Sequence, residues 1–179
     1  MAKNDDFSNS DKSKIEGISD ETYKHVSLVV DSMKAIARLN YQSIYIIDYH
    51  KKNFLYVSEN PIFLCGCRPE EVKKLGFSFY FTHIPKEEVS MLEELNKACF
   101  AFYHQTPIDE RLNVSISYDF HILLKDQQKT LINHKLTPIR LADNERLCLV
   151  ACIVSLSSHQ KEGYAEAHID GRASFWTYS

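Results

Sequence analysis

The N-terminal part of the chain contains one long amphipathic pattern. Between residues 20 and 40, apolar side chains recur at steps of three and four and form one helical stripe: Tyr23, Val26, Val30, Met33 and Ala37. Four more apolar residues widen that stripe beyond the needs of one packing partner: Leu28, Val29, Ile36 and Leu39. We therefore predict a helix over 20–40 that covers a sheet and also pairs with a second copy of the chain. Residues 1–19 are polar without periodicity and are predicted to be disordered.

The region 44–75 predicts two strands joined by a hairpin and followed by two short helices. Ile44–Ile47 is apolar throughout, as expected of a strand buried on both faces, and Phe54–Val57 resumes the apolar pattern after a polar turn. Asn60-Pro61 predicts a helix start, because Asn accepts from orphan N–H groups and Pro suits the first helical position. Gly66 is predicted to end that helix, and Pro69-Glu70-Glu71 predicts the start of the next one.

The second half of the chain predicts one long helix and three strands. A helical stripe follows Pro85 and runs to about Gln105. Residues 115–124 alternate between polar and apolar, which indicates a half-exposed strand, and Thr130–Leu136 is the next strand. Arg146–Leu156 is apolar on both parities and is predicted to lie in the centre of the sheet. The segment 159–179 is predicted to be a C-terminal extension, in which 167–170 could form another short strand.

These signals occur in the order that opens a PAS domain, and the chain resembles that family from about Ile44 to Ser158. The residues that carry the resemblance are Ile47-Asp48, Tyr56-Val57, Asn60, Leu64, Gly66 and Glu71-Val72. Cys67 and Arg68 depart from the pattern, since the family usually has an aromatic residue and a Ser or Thr cap there. The resemblance implies an α+β fold with the PAS domain at 41–158.

The implied sheet is five-stranded and antiparallel. Its first and last strands lie side by side in the middle, and its second and third strands lie at or near the edges. Short helices cover one face, and the N-terminal flanking helix covers the other. The periodicity agrees with this arrangement, because the two runs that are apolar throughout are the first and last strands.

The resemblance also implies a function, that of a sensory or interaction module in a signalling protein. The chain as a whole resembles the N-terminal sensory half of a bacterial LuxR-type transcriptional regulator, in which 159–179 would lead to a DNA-binding output domain. We expect a homodimer, formed through the N-terminal helix, that binds a small molecule. Two alternatives stay open: a structural dimerisation domain without a ligand, and a sensor for haem or another cofactor. His83 lies in the region from which some haem-binding PAS proteins ligate iron, but the sequence identifies no cofactor.

Composition narrows the possible partners. The 179 residues carry a net charge of -3, and no basic stripe is visible that would neutralise phosphates. We therefore expect that this chain binds no nucleic acid itself. It has no apolar run of membrane-spanning length and no signal-peptide core at its N-terminus, so we expect a cytoplasmic protein without membrane contact.

The sequence predicts neither catalytic nor metal-binding residues, and we expect no enzyme activity. The five cysteines form an odd set, and Cys65-x-Cys67 is not a zinc spacing. There is no Gly-rich phosphate loop, no Gly-x-Ser-x-Gly elbow and no flavin motif with a reactive cysteine. Asp119 and His121 share one strand face, but that face is polar and both side chains are predicted to be solvated.

A small-molecule pocket is the remaining candidate site. By the resemblance, a ligand would lie between the inner face of the sheet and the short helices. His134 shares its strand parity with Ile132 and Leu136, so its imidazole is predicted to point into an apolar interior, where it needs a partner. The predicted ligand-binding residues are Tyr56, Phe63, Phe79, Phe102, Tyr118 and His134, with Phe54 beside them. The alternative is that these rings fill the interior completely.

Overall fold

The computed structural model describes residues 20–39, 41–142 and 146–178, and the disorder predicted for 1–19 lies outside these residues. Helices and strands follow one another in this order: α1 (Asp20–Leu39), β1 (Ser43–Asp48), β2 (Asn53–Val57), α2 (Pro61–Leu64), α3 (Pro69–Leu75), α4 (Ser78–His83), α5 (Val89–Gln105), β3 (Val114–Leu123), β4 (Lys129–Leu141), β5 (Leu147–Leu156), β6 (Ala165–Ile169) and β7 (Phe175–Tyr178). Two 3-10 turns flank α5, at Lys86–Glu88 and Ile108–Asn113.

All these strands belong to one antiparallel sheet in the order β2-β1-β5-β4-β3-β6-β7. The prediction that the first strand and the strand at 146–156 lie side by side is confirmed, with Ser43 opposite Val154 and Asp48 opposite Leu149. Five strands were predicted, and this number is corrected to seven, because the segment after 158 folds back and adds β6 and β7 beyond β3. Strand β3 is consequently an interior strand and not a strand near the edge.

Helix α1 covers one face of the sheet, the outer face, as the flanking helix was predicted to do. Its half-buried residues Val30, Met33 and Ala37 pack against side chains of β1 and β2: Ile44, Ile46, Leu55 and Tyr56. No described residue covers the opposite side of α1, where Leu28 (67%) and Leu39 (86%) are largely exposed. None of the described helices is long and apolar enough to span a membrane.

Helices α2 to α5 cover the other face, the inner face, and enclose the main core with it. The predicted cap of α2 is confirmed, since the Asn60 side-chain oxygen accepts from the N–H of Ile62 at 3.1 Å. Helix α2 ends at Cys65, which already has a left-handed φ of 51°, one residue before the Gly66 that was predicted to end it. The N–H of Arg68 donates to the Glu71 carboxylate at 2.7 Å, and this hydrogen bond caps the N-terminus of α3.

The outer face of β3 is more buried than its sequence predicts. Asp119 was predicted to be solvated, but it is fully buried (0%) because the connection from β5 to β6 folds over it. Its carboxylate accepts from Asn133 Nδ2 at 2.7 Å and from Ser157 Oγ at 3.0 Å, and it is also bonded to His159 Nδ1. His121 pairs with Glu88 instead of Asp119.

Candidate ligand-binding site

A cavity lies between the inner face of the sheet and helices α4 and α5. Its volume is ≈ 40 Å³, which is room for about two or three water molecules. Aromatic and aliphatic side chains form most of its wall, and none of the lining residues in the described part of the chain is Asp, Glu, Lys or Arg. The lining residues are Ile47, Tyr49, Phe77, Tyr80, Ile84, Leu92, Asn96, Phe100, Tyr118, Phe120 and His134.

Three polar side chains beside this cavity form a hydrogen-bonded chain that joins the sheet to the helix layer. The hydroxyl of Tyr45, from β1, lies 2.8 Å from the hydroxyl of Tyr80, from α4. The same Tyr45 hydroxyl also bonds Nε2 of His134, from β4. Burial raises the pKa of both phenols well above its usual value, so Tyr45 and Tyr80 are neutral at pH 7.

His134 is also neutral, because burial lowers the pKa of its imidazole to about 3. A neutral imidazole has one N–H group and one bare nitrogen. Nε2 is bonded to Tyr45, whereas the buried Nδ1 has no hydrogen-bond partner among the described residues. If the Tyr45 hydroxyl donates a hydrogen bond to Nε2, the imidazole proton is on Nδ1, which is then a donor. If Nε2 carries the proton and donates to Tyr45, Nδ1 is an acceptor. In either tautomer the site has one unsatisfied polar atom.

Aromatic neighbours fix the orientation of this imidazole. The ring of Tyr118 meets His134 edge to face at 4.9 Å between centroids, and Phe120 does the same at 5.9 Å. The ring of Tyr45 stacks on His134 at 5.6 Å and on Phe63 at 4.3 Å. These pairs pack the imidazole from several directions, so the unpartnered nitrogen cannot rotate toward bulk water without breaking the cluster.

The structure brings only some of the predicted ligand-binding residues to the cavity. Tyr118 and His134 line it. Phe63 and Phe79 lie in the adjoining core, 4.9 Å apart, but do not line it. Phe102 is on another side of α5, where its ring lies 5.6 Å from Trp176.

Tyr56 lies on the opposite face of the sheet, under α1, and its predicted position is corrected. The register explains this, since Tyr56 is opposite Ile46, whose side chain also points to the outer face. Phe54, two residues earlier, returns to the inner core because the ladder is irregular between Ile46 and Ile47. A bulge of this kind has no pattern in the sequence that would reveal it.

The polar partner of His134 was not predicted from the sequence pattern. Tyr45 lies in the run 44–47, which is apolar on both parities, so its hydroxyl was not recognised as a buried polar group. The parity of β1 and β5 would have placed Tyr45 on the same face as Cys152, and therefore inside. Tyr49, Tyr80, Asn96 and Phe100 were also missed, because their positions depend on how α4 and α5 pack on the sheet.

A second polar cluster lies outside the cavity wall. The possible ligating atoms of Glu88, His121 and Glu162 lie within 4.8 Å of one another. Glu88 is buried and already accepts from His121, through the backbone N–H at 2.9 Å and through Nδ1 at 2.7 Å. These hydrogen bonds account for the burial of Glu88 without an ion.

No family model and no curated protein matches the chain in sequence. Among solved structures, the PAS domain of a protein from Colwellia psychrerythraea aligns with a TM-score of 0.51 at 10% identity, over 75% of this chain and 98% of that one. A light-oxygen-voltage domain, whose mechanism was studied with a flavin analogue, aligns with a TM-score of 0.51 at 14% identity, over 72% and 86% of the two chains.

A PAS domain from a two-component sensor histidine kinase aligns with a lower TM-score of 0.47 at 10% identity, over 74% of this chain and 99% of that one. At these identities the likeness concerns the fold alone. Together with the strand order, it establishes that the chain has an α+β fold of the PAS type, extended by β6 and β7.

Proposed function

We propose that this chain is a PAS sensory module of a signalling protein and that it binds a small uncharged molecule in the cavity beside His134. The observation that carries this proposal is the buried Nδ1 of His134, which has no partner in the described part of the chain. An unsatisfied buried polar atom costs about 1–3 kcal/mol. A ligand that offers one hydrogen-bonding group to Nδ1 removes that cost and is bound preferentially for this reason.

The cavity wall defines the chemistry of the ligand. Its polar groups are phenols, an amide and a neutral imidazole, so a charged ligand would lose its hydration without gaining an ion pair. The cavity of ≈ 40 Å³ is far smaller than the roughly 300–1,000 Å³ of sites for drug-sized ligands. A larger ligand requires movement of Tyr80 and Phe100, which are only half buried.

The signal would leave the domain through the sheet. Tyr45 and Ile46 are neighbours on β1, and they point to the cavity side and to α1 respectively. A ligand that favours one arrangement of β1 and β5 therefore also favours one position of α1. If α1 pairs with its copy, ligand binding changes the dimer. We place this module in the cytoplasm, as the sensory and dimerising part of a LuxR-type transcriptional regulator.

The filled-core dimerisation domain is the second candidate function, and the small size of the cavity favours it. In that case His134 and Tyr45 are structural, and water satisfies Nδ1. The haem alternative fits the site less well. A porphyrin is many times larger than the cavity, and both ring nitrogens of His83 have protein neighbours, Phe79 O at 2.9 Å and Cys67 Sγ at 3.8 Å.

Native mass spectrometry of the freshly purified full chain, with a denatured control, separates the two candidates. A dimer with a bound small molecule is expected, and the His134→Leu variant should lose that added mass. The matched control is His168→Leu, because His168 lies on β6 outside the cavity wall. The dimerisation domain would be favoured by a dimer without added mass whose melting temperature does not change when small neutral alcohols, ketones or amides are added.

A further inference from the structure

Among the described cysteines, Cys67 lies beside a histidine side chain that can accept its thiol proton. Cys67 lies in the turn between α2 and α3, and His83 is the last residue of α4. The Cys67 sulfur is 3.8 Å from Nε2 of His83, which is within hydrogen-bonding distance for sulfur. Neither residue lines the cavity, so this pair is separate from the candidate ligand site.

The surroundings of His83 define which ring nitrogen accepts a proton. Nδ1 of His83 lies 2.9 Å from the carbonyl oxygen of Phe79 and 2.9 Å from the hydroxyl of Thr82. The Thr82 hydroxyl donates to the Phe79 carbonyl at 2.9 Å, so both oxygens accept from the N–H of Nδ1. In the neutral ring Nε2 is then the bare nitrogen, and it accepts from the Cys67 thiol. The imidazole also stacks on the Phe79 ring at 4.4 Å, which holds it in place. A nucleophile, a base and a group that orients the base are thus assembled.

Cys67 is also more accessible than the other cysteines. It is half buried, whereas Cys65, Cys99, Cys148 and Cys152 are all buried. Partial burial and the Glu71 carboxylate raise the pKa of the Cys67 thiol. The neighbouring Cys65 carries no charge at pH 7, because burial raises the pKa of its thiol to about 12. Cys67 is therefore protonated at rest, and its reaction needs a base that removes the proton.

We propose that Cys67 and His83 form a thiol–imidazole pair at which a hydroperoxide oxidises the thiol to a sulfenic acid. The sulfur attacks the terminal oxygen of the hydroperoxide, an S–O bond forms and the O–O bond breaks. His83 Nε2 takes the thiol proton and returns it to the departing oxygen, which leaves as an alcohol, or as water when the oxidant is hydrogen peroxide. The sulfur is oxidised and the peroxide oxygen is reduced, so no further reactant is required.

The test uses the full chain, hydrogen peroxide as the oxidant and a β-diketone that traps sulfenic acid, with peptide mass spectrometry to locate the trapped cysteine. The trapped mass is expected at Cys67 and should be absent in Cys67→Ser. The His83→Asn variant keeps an N–H that can reach the Phe79 carbonyl but has no basic nitrogen. Its rate of oxidation should fall about tenfold, less than the roughly hundredfold that is the low end for general acid–base catalysis, because the site is partly open.

A second variant and a measurement without substitution protect the test against unfolding of His83→Asn. Glu71→Gln keeps the side-chain acceptor for the Arg68 N–H and removes the carboxylate charge, so Cys67 should react about twofold faster. In the wild-type chain, limiting hydrogen peroxide should place the trapped mass on Cys67 before any other cysteine. Equal oxidation rates in wild type and a folded His83→Asn variant, or oxidation of another cysteine before Cys67, would overturn the proposal.

Discussion

At the scale of single residues, the buried bond between Tyr45 and His134 is a feature whose removal is expected to cost stability. Tyr45→Phe would leave both ring nitrogens of His134 buried without a partner, at a cost of about 1–3 kcal/mol. In the ligand-free chain, His134→Leu removes both nitrogens with little change in volume, and Tyr45 keeps its bond to Tyr80, so we expect a loss below about 1 kcal/mol there. Urea denaturation of the two variants measures this difference. A larger loss for His134→Leu than for Tyr45→Phe would mean that Nδ1 has a partner in solution.

The same imidazole predicts how stability depends on pH. Burial lowers the pKa of His134 to about 3 in the folded chain, whereas an unfolded His titrates near roughly 6.5. As the pH falls, the unfolded chain binds this proton first, so the folded state loses up to about 1.4 kcal/mol per pH unit between about pH 6.5 and about pH 3. His134→Leu should lack this contribution, as measured by urea denaturation at several pH values in that window. Parallel pH profiles for wild type and variant, with His168→Leu as the control, would contradict it.

Residue-scale prediction from the sequence succeeded where strand parity alone decides. The inward position of His134 followed from its parity with Ile132, and the imidazole is indeed buried (1%). The same argument misplaced Tyr56, because an irregularity in the ladder shifts the parity of β2. It also misplaced Asp119, because burial of that carboxylate depends on a connection 40 residues further along the chain.

At the scale of secondary-structure elements, α1 has a second apolar stripe that the sheet does not use. Leu28 and Leu39 are exposed and lie on the side of the helix opposite Val26, Val30 and Met33, and the exposed Ile36 flanks them. If this stripe pairs two copies, Leu28→Gln combined with Leu39→Gln should convert the dimer to a monomer without lowering the melting temperature. Light scattering gives the mass, and Lys34→Gln, an exposed change outside the stripe, is the control. A variant that remains dimeric would refute pairing through α1.

The connection between β5 and β6 is anchored to the sheet by one buried side chain, Asp119. The buried Asp119 carboxylate holds Ser157 and His159 of this connection as well as Asn133. Asp119→Asn places an N–H₂ group among donors, so we expect a loss of about 2–3 kcal/mol in the free energy of unfolding. Faster proteolysis within 157–164 should accompany it. Asp170→Asn is the matched control, since Asp170 is exposed, and equal stability of the two variants would contradict this anchoring role.

Most helices and strands of 20–158 could be predicted because they have a local signal, whereas helix α4 was not predicted, since its aromatic-rich stretch indicated irregular structure. Alternation marks β3, unbroken apolarity marks β1 and β5, and the Asn-Pro cap marks α2. Strand β7 has no such signal. Phe175 is exposed, Trp176 is half buried, and the strand exists because β6 provides a partner. The strand count of the sheet therefore depends on long-range pairing that a local pattern does not contain.

At the scale of the whole molecule, the pairing of β6 with β3 makes the C-terminal hairpin, formed by β6 and β7, part of the main core. Five residue pairs join the two strands, and Ala165, Ala167 and Ile169 belong to the main core cluster. Trp176 is the one tryptophan of the chain, and its ring lies 5.6 Å from Phe102 of α5. The fluorescence of Trp176 consequently reports whether the hairpin and the helix layer stay together.

We expect the hairpin to unfold together with the rest of the sheet, because its inward side chains share one core with β3 to β5. Urea transitions followed by Trp176 fluorescence and by far-UV circular dichroism should therefore coincide. Phe102→Ala should shift the emission toward longer wavelengths, since it opens the ring contact to water, whereas the exposed Phe175→Ala should leave it unchanged. A fluorescence transition at clearly lower urea would show that β6 and β7 form a separate unfolding unit. In that case the main core would end near residue 158, and the hairpin would be an element that detaches from it before the rest of the sheet unfolds.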